Sequence, residues 1–319
     1  MRGTLIPSKP IPLNPFFGLH PSLGGFGKML NQGDAAIVHA TAFPYTNRSH
    51  FEGQNVVQSG IMTPFASKSG WLGRALELAG LPGRAMALDM PLLTRGEADV
   101  DNYYPASIRG ASLPSQSLTK LLSAYHKDQI SGAFNKVAAK HKKYFKPIPR
   151  DAVSLAKYAG RQMALEDGPA AAVITVDDFD THANQQADGG QHHRQLSKVD
   201  DILIGLQMGL KDSWKDTVIL TLTEFGRTVK VNGSTGTDHG YGSAGLLAGG
   251  LLKGGNIISQ WPGLNKRDLF DGRDLQSTID YRSVCAACLE RAYGLDHDLI
   301  ATNIFQSPDL PRFHDYLFM

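Results

Sequence analysis

A chain of 319 residues with 42% hydrophobic and 19% charged residues has the composition of a globular protein with a sizeable core. A formal net charge of +2 gives no basis for a nucleic-acid or membrane-surface partner. No stretch reaches the roughly 20 apolar residues of a membrane helix, and two cysteines, Cys285 and Cys288, make neither a disulfide framework nor a four-ligand zinc site.

Residues 1–22 carry five prolines, contain no apolar core of the signal-peptide kind and read as extended chain. The run AAIVHA (35–40) is a strand candidate. It leads into NRSHFEGQNVVQSG, where Ser49 and Glu52 have the spacing of a capping box at a helix start. SGWLGRALELAG (69–80) reads as a helix closed by Gly80, and AMALDM (85–90) as a strand. Residues 94–115 read as loop and 116–146 as a long helical zone broken by Pro147 and Pro149. Asp151 then caps a second helix running to about Glu166. AAVITV (171–176) is the cleanest strand and ends in Asp177-Asp178-Phe179-Asp180-Thr181-His182; the polar stretch ANQQADGGQHHRQ after it reads as a mobile loop. Leu196, Val199, Leu203, Leu206 and Leu210 recur at helical spacing. A β-branched strand over 217–223, a run at Gly245–Ala248, and a helix from about Tyr281 to Tyr293, capped by Asp280, closed by Gly294 and holding both cysteines as buried thiols, complete the chain. Short strands alternating with helices predict one α/β domain over 1–319, its mostly parallel sheet covered on both faces, with a small cap or insertion within 94–150.

In such sheets ligands bind beyond the carboxyl ends of the strands. Three of the apolar runs end or begin at residues of metal-ligand type: Asp177, Asp178, Asp180 and His182 after the first, Glu224 after the second, Asp238 and His239 before the third. Asn47-Arg48-Ser49-His50 stands where the first strand passes into a helix. Carboxylates and imidazoles on one sheet edge suit zinc, manganese or magnesium better than copper or iron–sulfur. A serine at a helix start adds a hydroxyl beside backbone N–H groups that favour an anion. Together these parts describe metal-assisted hydrolysis of a phosphate or sulfate ester. Blander roles stand beside them: Ser49 serves equally as a plain cap, Arg48 as a surface cation, and His50, His192 and His193 as solvated loop residues.

The segments FGLHPSL, VHATAFPYTNRSHFEGQ, SGWLGR, FDTHANQ, LTEFGRT, NGSTGTDHG and DYRSVCAACLE resemble, in order and over nearly the whole chain, the DUF1501 family of bacterial proteins of unknown function. That family is similar to the alkaline phosphatase and sulfatase superfamily. The resemblance implies a doubly wound sheet, two divalent metal ions, and a Ser or Thr nucleophile at a helix start. Zinc is the first choice of metal, with manganese, magnesium or calcium as alternatives. Carried onto this chain, Ser49 takes the nucleophile's place with Arg48 beside it on the anion. Asp180 and His182 match one ligand pair. Glu224 stands where the superfamily has the Asp of an Asp-His pair, and Phe225 replaces the His. His239 matches the later, separate histidine, with Asp238 as its neighbour or a ligand itself.

Two departures follow from the same comparison. The Asp-His pair is split, and the family's arginine-rich export signal and first strand, which ends in a ligand aspartate, would lie before MRGTLIP. The expectation is therefore a truncated N-terminus with the first strand absent, and a periplasmic location for a full-length parent. Two functions stand on this reading: a hydrolase of small anionic esters, reduced or inactive in this chain, and a non-catalytic envelope or binding protein on a degenerate phosphatase-like fold.

Overall fold

The computed structural model describes residues 2–81, 84–87, 91–96, 101–102 and 151–318, with backbone alone for 84–87 and 101–102. The helical zone expected over 116–146 and nearly all of the cap expected within 94–150 lie outside the described residues.

The chain opens with a short hairpin, β1 (Ile11–Pro12) and β2 (Gly18–Leu19), followed by α1 (Gly24–Gln32). The AAIVHA run becomes β3 (Ala35–Ala42), and α2 (His50–Ser59) begins where the Ser49 motif placed it. Ser49 is the N-cap residue of α2, but its side chain makes no capping hydrogen bond. The Glu52 carboxylate accepts from Tyr45 Oη at 2.8 Å instead, so the expected capping box does not form.

Next come α3 (Trp71–Leu78) and the backbone strands β4 (Arg84–Ala87) and β5 (Asp101–Asn102). At the end of α3, Gly80 N–H donates to the Glu77 carbonyl and Leu81 N–H to that of Leu76. This is a Schellman cap, and it needs the left-handed φ of +63° that Gly80 takes. Helix α4 (Ala152–Met163) is capped by the Asp151 side chain as expected, and β6 (Ala171–Val173) follows. Helix α5 (Gln191–Leu210) starts five residues before the first leucine of the expected repeat. The stretch His192-His193-Arg194 therefore forms its first turn rather than a loop. The chain closes with β7 (Ile219–Leu220), β8 (Ser243–Ala248), β9 (Ile257–Ser259), β10 (Ile279–Asp280), α6 (Tyr281–Tyr293) and α7 (His314–Phe318).

The protein is mixed α/β. The main sheet has the order β10-β3-β8-β7, with β9 also on β3, and a smaller sheet has the order β5-β4-β6. Pairings of β3 with β9 and β10, and of β4 with its neighbours, are parallel; β8 is antiparallel to both β3 and β7. The main sheet is therefore mixed rather than mostly parallel. Between β7 and β8 lie residues 221–242 with no helix. A parallel return needs a crossover of a dozen or more residues, usually a helix; a loop that folds back on itself returns antiparallel. Connections this long without structure of their own are usually functional.

Strand β3 explains why its run is apolar without alternation. Ala36 and Val38 face a core shared with α2, α3 and α6, whereas Ala35 and Ile37 face one shared with α1, α4 and α5. Helix α6 is buried from Tyr281 to Glu290, so both cysteines are buried free thiols, and burial pushes Cys288 up to about 12.

Candidate metal centre

Three segments far apart in the chain meet beyond the carboxyl ends of β3, β6 and β7. The start of α2 supplies His50, the extended chain after β6 supplies Asp180 and His182, and the loop 221–242 supplies Glu224, Arg227, Asp238 and His239. Small residues let them approach. A Cβ at Gly53 would stand 3.0 Å from Glu224 Cβ, and one at Gly226 would stand 1.9 Å from the Gly242 carbonyl oxygen. Backbone bridges Arg227–His239 and Ala183–Thr235 clip the loop to itself and to the Asp180 segment.

Asp180 is the hub. Its Oδ1 lies 2.8 Å from His182 Nε2 and 3.0 Å from His239 Nε2, and its Oδ2 lies 3.3 Å from His50 Nε2. His182 Nε2 and His239 Nε2 are 3.0 Å apart. One donor atom each from His50, Asp180 and His239 lies within 4.8 Å of the other two.

Each imidazole is held through its other nitrogen. His50 Nδ1 is 2.8 Å from Glu224 Oε1, His182 Nδ1 is 3.0 Å from Asp238 Oδ1, and His239 Nδ1 is 2.9 Å from the Arg48 carbonyl oxygen. Carboxylate and carbonyl oxygens only accept, so where each ring donates Nδ1–H outward its Nε2 lone pair is left to face inward. Three lone pairs then converge on a carboxylate, and acceptors facing acceptors need positive charge between them. Arg227 supplies some, with Nη1 donating to Asp180 Oδ1 at 2.6 Å. A single divalent cation would answer His50, Asp180 and His239 together. The residues present therefore fit such an ion, and imidazole donors ordered by carboxylate or carbonyl partners are the usual second layer of a zinc site.

Electrostatics agree with the geometry. Burial by itself raises the Asp180 pKa. The hydrogen bonds from Arg227 and His239, with the charges of His182 and Arg227, outweigh it and bring the group down to about 2. Hydrogen bonds from His182 and then Asn232 hold Asp238 below the ordinary carboxylate range. Asn232 Nδ2 reaches both Asp238 Oδ1 and the His182 carbonyl, each at 2.9 Å, so it ties the two segments together. Phe225 closes the cluster from below, its ring 4.5 Å from that of His239 and 5.0 Å from that of His50.

All five residues expected as metal ligands, Asp180, His182, Glu224, Asp238 and His239, are in this cluster. Glu224 and Asp238 stand outside the imidazoles and orient them. His50, read as a solvated residue, faces Asp180 directly. Arg227 and Asn232 were not singled out in the sequence. The one signal for Arg227 is its place three residues after Glu224 in the same loop. Of the three aspartates in 177–180, only Asp180 reaches the imidazoles. Asp177 and Asp178 stay outside, with the Asp178 carbonyl accepting from Gln191. Ser49 stands at the start of α2 between Arg48 and His50.

Arg48 enters through its backbone. Its carbonyl holds His239, while its guanidinium is taken by Asp274 at 2.7 Å and Asp271 at 2.8 Å and lies over the Phe270 ring. Its φ of +58° turns the carbonyl and the side chain in these two directions. His192 and His193 lie against His20 in the first turn of α5, away from the cluster. Among the described residues no helix is long and apolar enough to cross a membrane.

No curated protein and no solved structure matches the chain. The profile of a family described as "Protein of unknown function (DUF1501)" matches residues 115–304, more than half of the chain, and the chain belongs to that family.

Proposed function

We propose that this protein is a metal-dependent hydrolase of phosphate or sulfate esters. The observation that carries the reading is the convergence of three imidazole Nε2 atoms on Asp180, each ring anchored through its Nδ1. His50, Asp180 and His239 would hold the ion, with His182 beside them against Asp180 Oδ1. A nitrogen-rich set of this kind suits zinc before manganese, and both before the oxygen-preferring magnesium and calcium. A divalent cation here supplies polarisation of the ester and a lowered pKa for an oxygen nucleophile.

The chain's own contribution lies beside the ion. Ser49 directly precedes His50, and its side chain is not spent on capping α2. The first-turn N–H groups of α2 have no intrahelical acceptors and favour an anionic oxygen at the same place. These two features support Ser49 as the nucleophile and an anionic ester as the substrate. Helices on both faces of the main sheet, with the cluster beyond its strand ends, support an alkaline phosphatase-like frame for the chemistry. One observation favours the second reading, a binding protein on a degenerate site: the Arg48 guanidinium is neutralised by Asp271 and Asp274, so it offers no anion clamp.

Metal content by mass spectrometry, followed by an ester screen, tests both. We expect near-stoichiometric zinc or manganese in the wild type and its loss in Asp180→Asn and His239→Ala. Asp238→Asn should weaken affinity by about 10–100-fold, as removing an orienting partner does. Ser49→Ala should keep the metal and lose turnover. Metal-loaded protein with no turnover on any ester would leave the binding reading; protein that takes up no divalent ion would end the hydrolase.

A further inference from the structure

Arg227 is the cation already present in the cluster, and its fixation is unusual. Nη1 donates to Asp180 Oδ1, Nε donates to Thr237 Oγ1 at 3.1 Å, and Nη2 donates to the Thr237 carbonyl. Thr237 is fully buried, and its hydroxyl in turn donates to Gln185 Oε1 at 2.8 Å. Asp180 Oδ1 is also the oxygen nearest the Nε2 atoms of His182 and His239. The guanidinium thus claims the same oxygen that would complete a metal's coordination. Two of its three nitrogens are tied to its own loop, so it cannot swing out when a metal arrives.

We infer that Arg227 is a built-in competitor of the metal ion, holding Asp180 in the metal-free protein and setting the affinity of the centre for divalent cations. The inference rests on the metal-centre reading above. Without a cation, Arg227 neutralises the Asp180 carboxylate and keeps the constellation assembled. With a cation bound, Asp180 is shared, and a fixed positive charge remains beside a doubly positive ion in a half-buried site. Like charges at such separations cost several-fold to many-fold in affinity even with partial screening. Arg227 is therefore a positioning residue that lowers affinity, the opposite of Asp238, which orients His182 and raises it.

The test measures zinc affinity against a competing chelator, and thermal stability in excess chelator, for wild type, Arg227→Gln and Arg227→Lys. We expect Arg227→Gln to bind zinc at least about tenfold more tightly while melting at a lower temperature without metal. Arg227→Lys keeps the charge and should stay nearer the wild type in affinity. Zinc binding by Arg227→Gln that is equal to or weaker than wild type would overturn the proposal and leave Arg227 a structural support. Should Arg227→Gln not fold, side-chain nitrogen NMR on the wild type decides. Saturating zinc should release the Arg227 Nη1 protons from Asp180 into faster exchange while Nε–H and Nη2 stay held by Thr237, and an unchanged Arg227 signal would refute it. A wild type that binds no zinc or manganese removes the metal centre itself, an outcome distinct from one in which the metal binds and Arg227 has no effect.

Discussion

At the scale of single residues, the cluster shows how little a side chain's type says about its role. His50 and His192 are both histidines at helix starts. His50 has a carboxylate at each nitrogen, Glu224 and Asp180. His192 packs edge-on against Phe179, and its Nδ1 is buried with no partner among the described residues. Burial first, then the charges of His20, Arg2 and Arg227, bring the His192 pKa down to about 4. In the unfolded chain it titrates near 6.5. The folded state therefore binds its proton less readily. His192 costs nothing above about pH 6.5, and stability falls as pH drops from there through about 4. The loss by the acid end is on the order of 3 kcal/mol. Denaturant midpoints for wild type and His192→Phe between pH 7 and 4 check this. The wild type should lose more stability than the variant over that range, and parallel curves would contradict it.

At the scale of elements, the loop 221–242 is the part that most needs its particular residues. Gly226 N–H donates to the Tyr241 carbonyl, the Gly226 carbonyl accepts from Gly240 N–H, and a side chain at 226 would collide with the Gly242 backbone. Overpacking against backbone is relieved only by moving the loop. Gly226→Ala should therefore cost about 2–4 kcal/mol and weaken metal uptake, because the loop carries Glu224 on one side of the glycine and His239 on the other. Unfolding curves together with metal content test it; a variant with wild-type values for both would show that the loop has room to yield. Helix α1 makes a related point about local signals. It lacks a capping side chain of its own, and Asp200 from α5 accepts from Gly25 and Phe26 N–H at 2.9 and 2.7 Å. A cap supplied from 174 residues away is invisible to any motif.

At the scale of the whole molecule, the centre is held by one buried carboxylate. Asp274 has no exposed side-chain surface and accepts from both Arg48 and Arg273. Arg48 leads into α2 and His50, and Arg273 also donates to the His239 carbonyl at 2.5 Å. Asp274 thereby joins the helix start to the histidine loop. Removing one partner of a buried pair leaves uncompensated charge. We expect Asp274→Ala to lose about 3 kcal/mol, somewhat less than a fully buried pair because Arg273 is partly solvated, and to lower metal affinity without touching a ligand. Chemical denaturation and a zinc titration decide it; unchanged values in both would mean the junction is redundant.

How much of this was legible beforehand follows from the range of the forces involved. The chain by itself determined β3, α3, α4 and α6 closely, because apolar runs, Asp caps and Gly terminators act over a few residues. It also pointed to the segments that meet in the cluster, because Asp-x-His and Asp-His-Gly follow or precede apolar runs. Three matters were decided by tertiary structure alone. The antiparallel direction of β8 depends on a 22-residue loop folding back without a helix, whose length alone does not say so. The division into His50, Asp180, His182 and His239 facing inward, with Glu224 and Asp238 behind them, depends on which nitrogen of each ring meets which oxygen across separations such as the 174 residues from His50 to Glu224. The diversion of Arg48 to Asp271 and Asp274, and the placing of Arg227 on Asp180, depend on where the loops lie, since a guanidinium binds whichever carboxylate the fold brings to it.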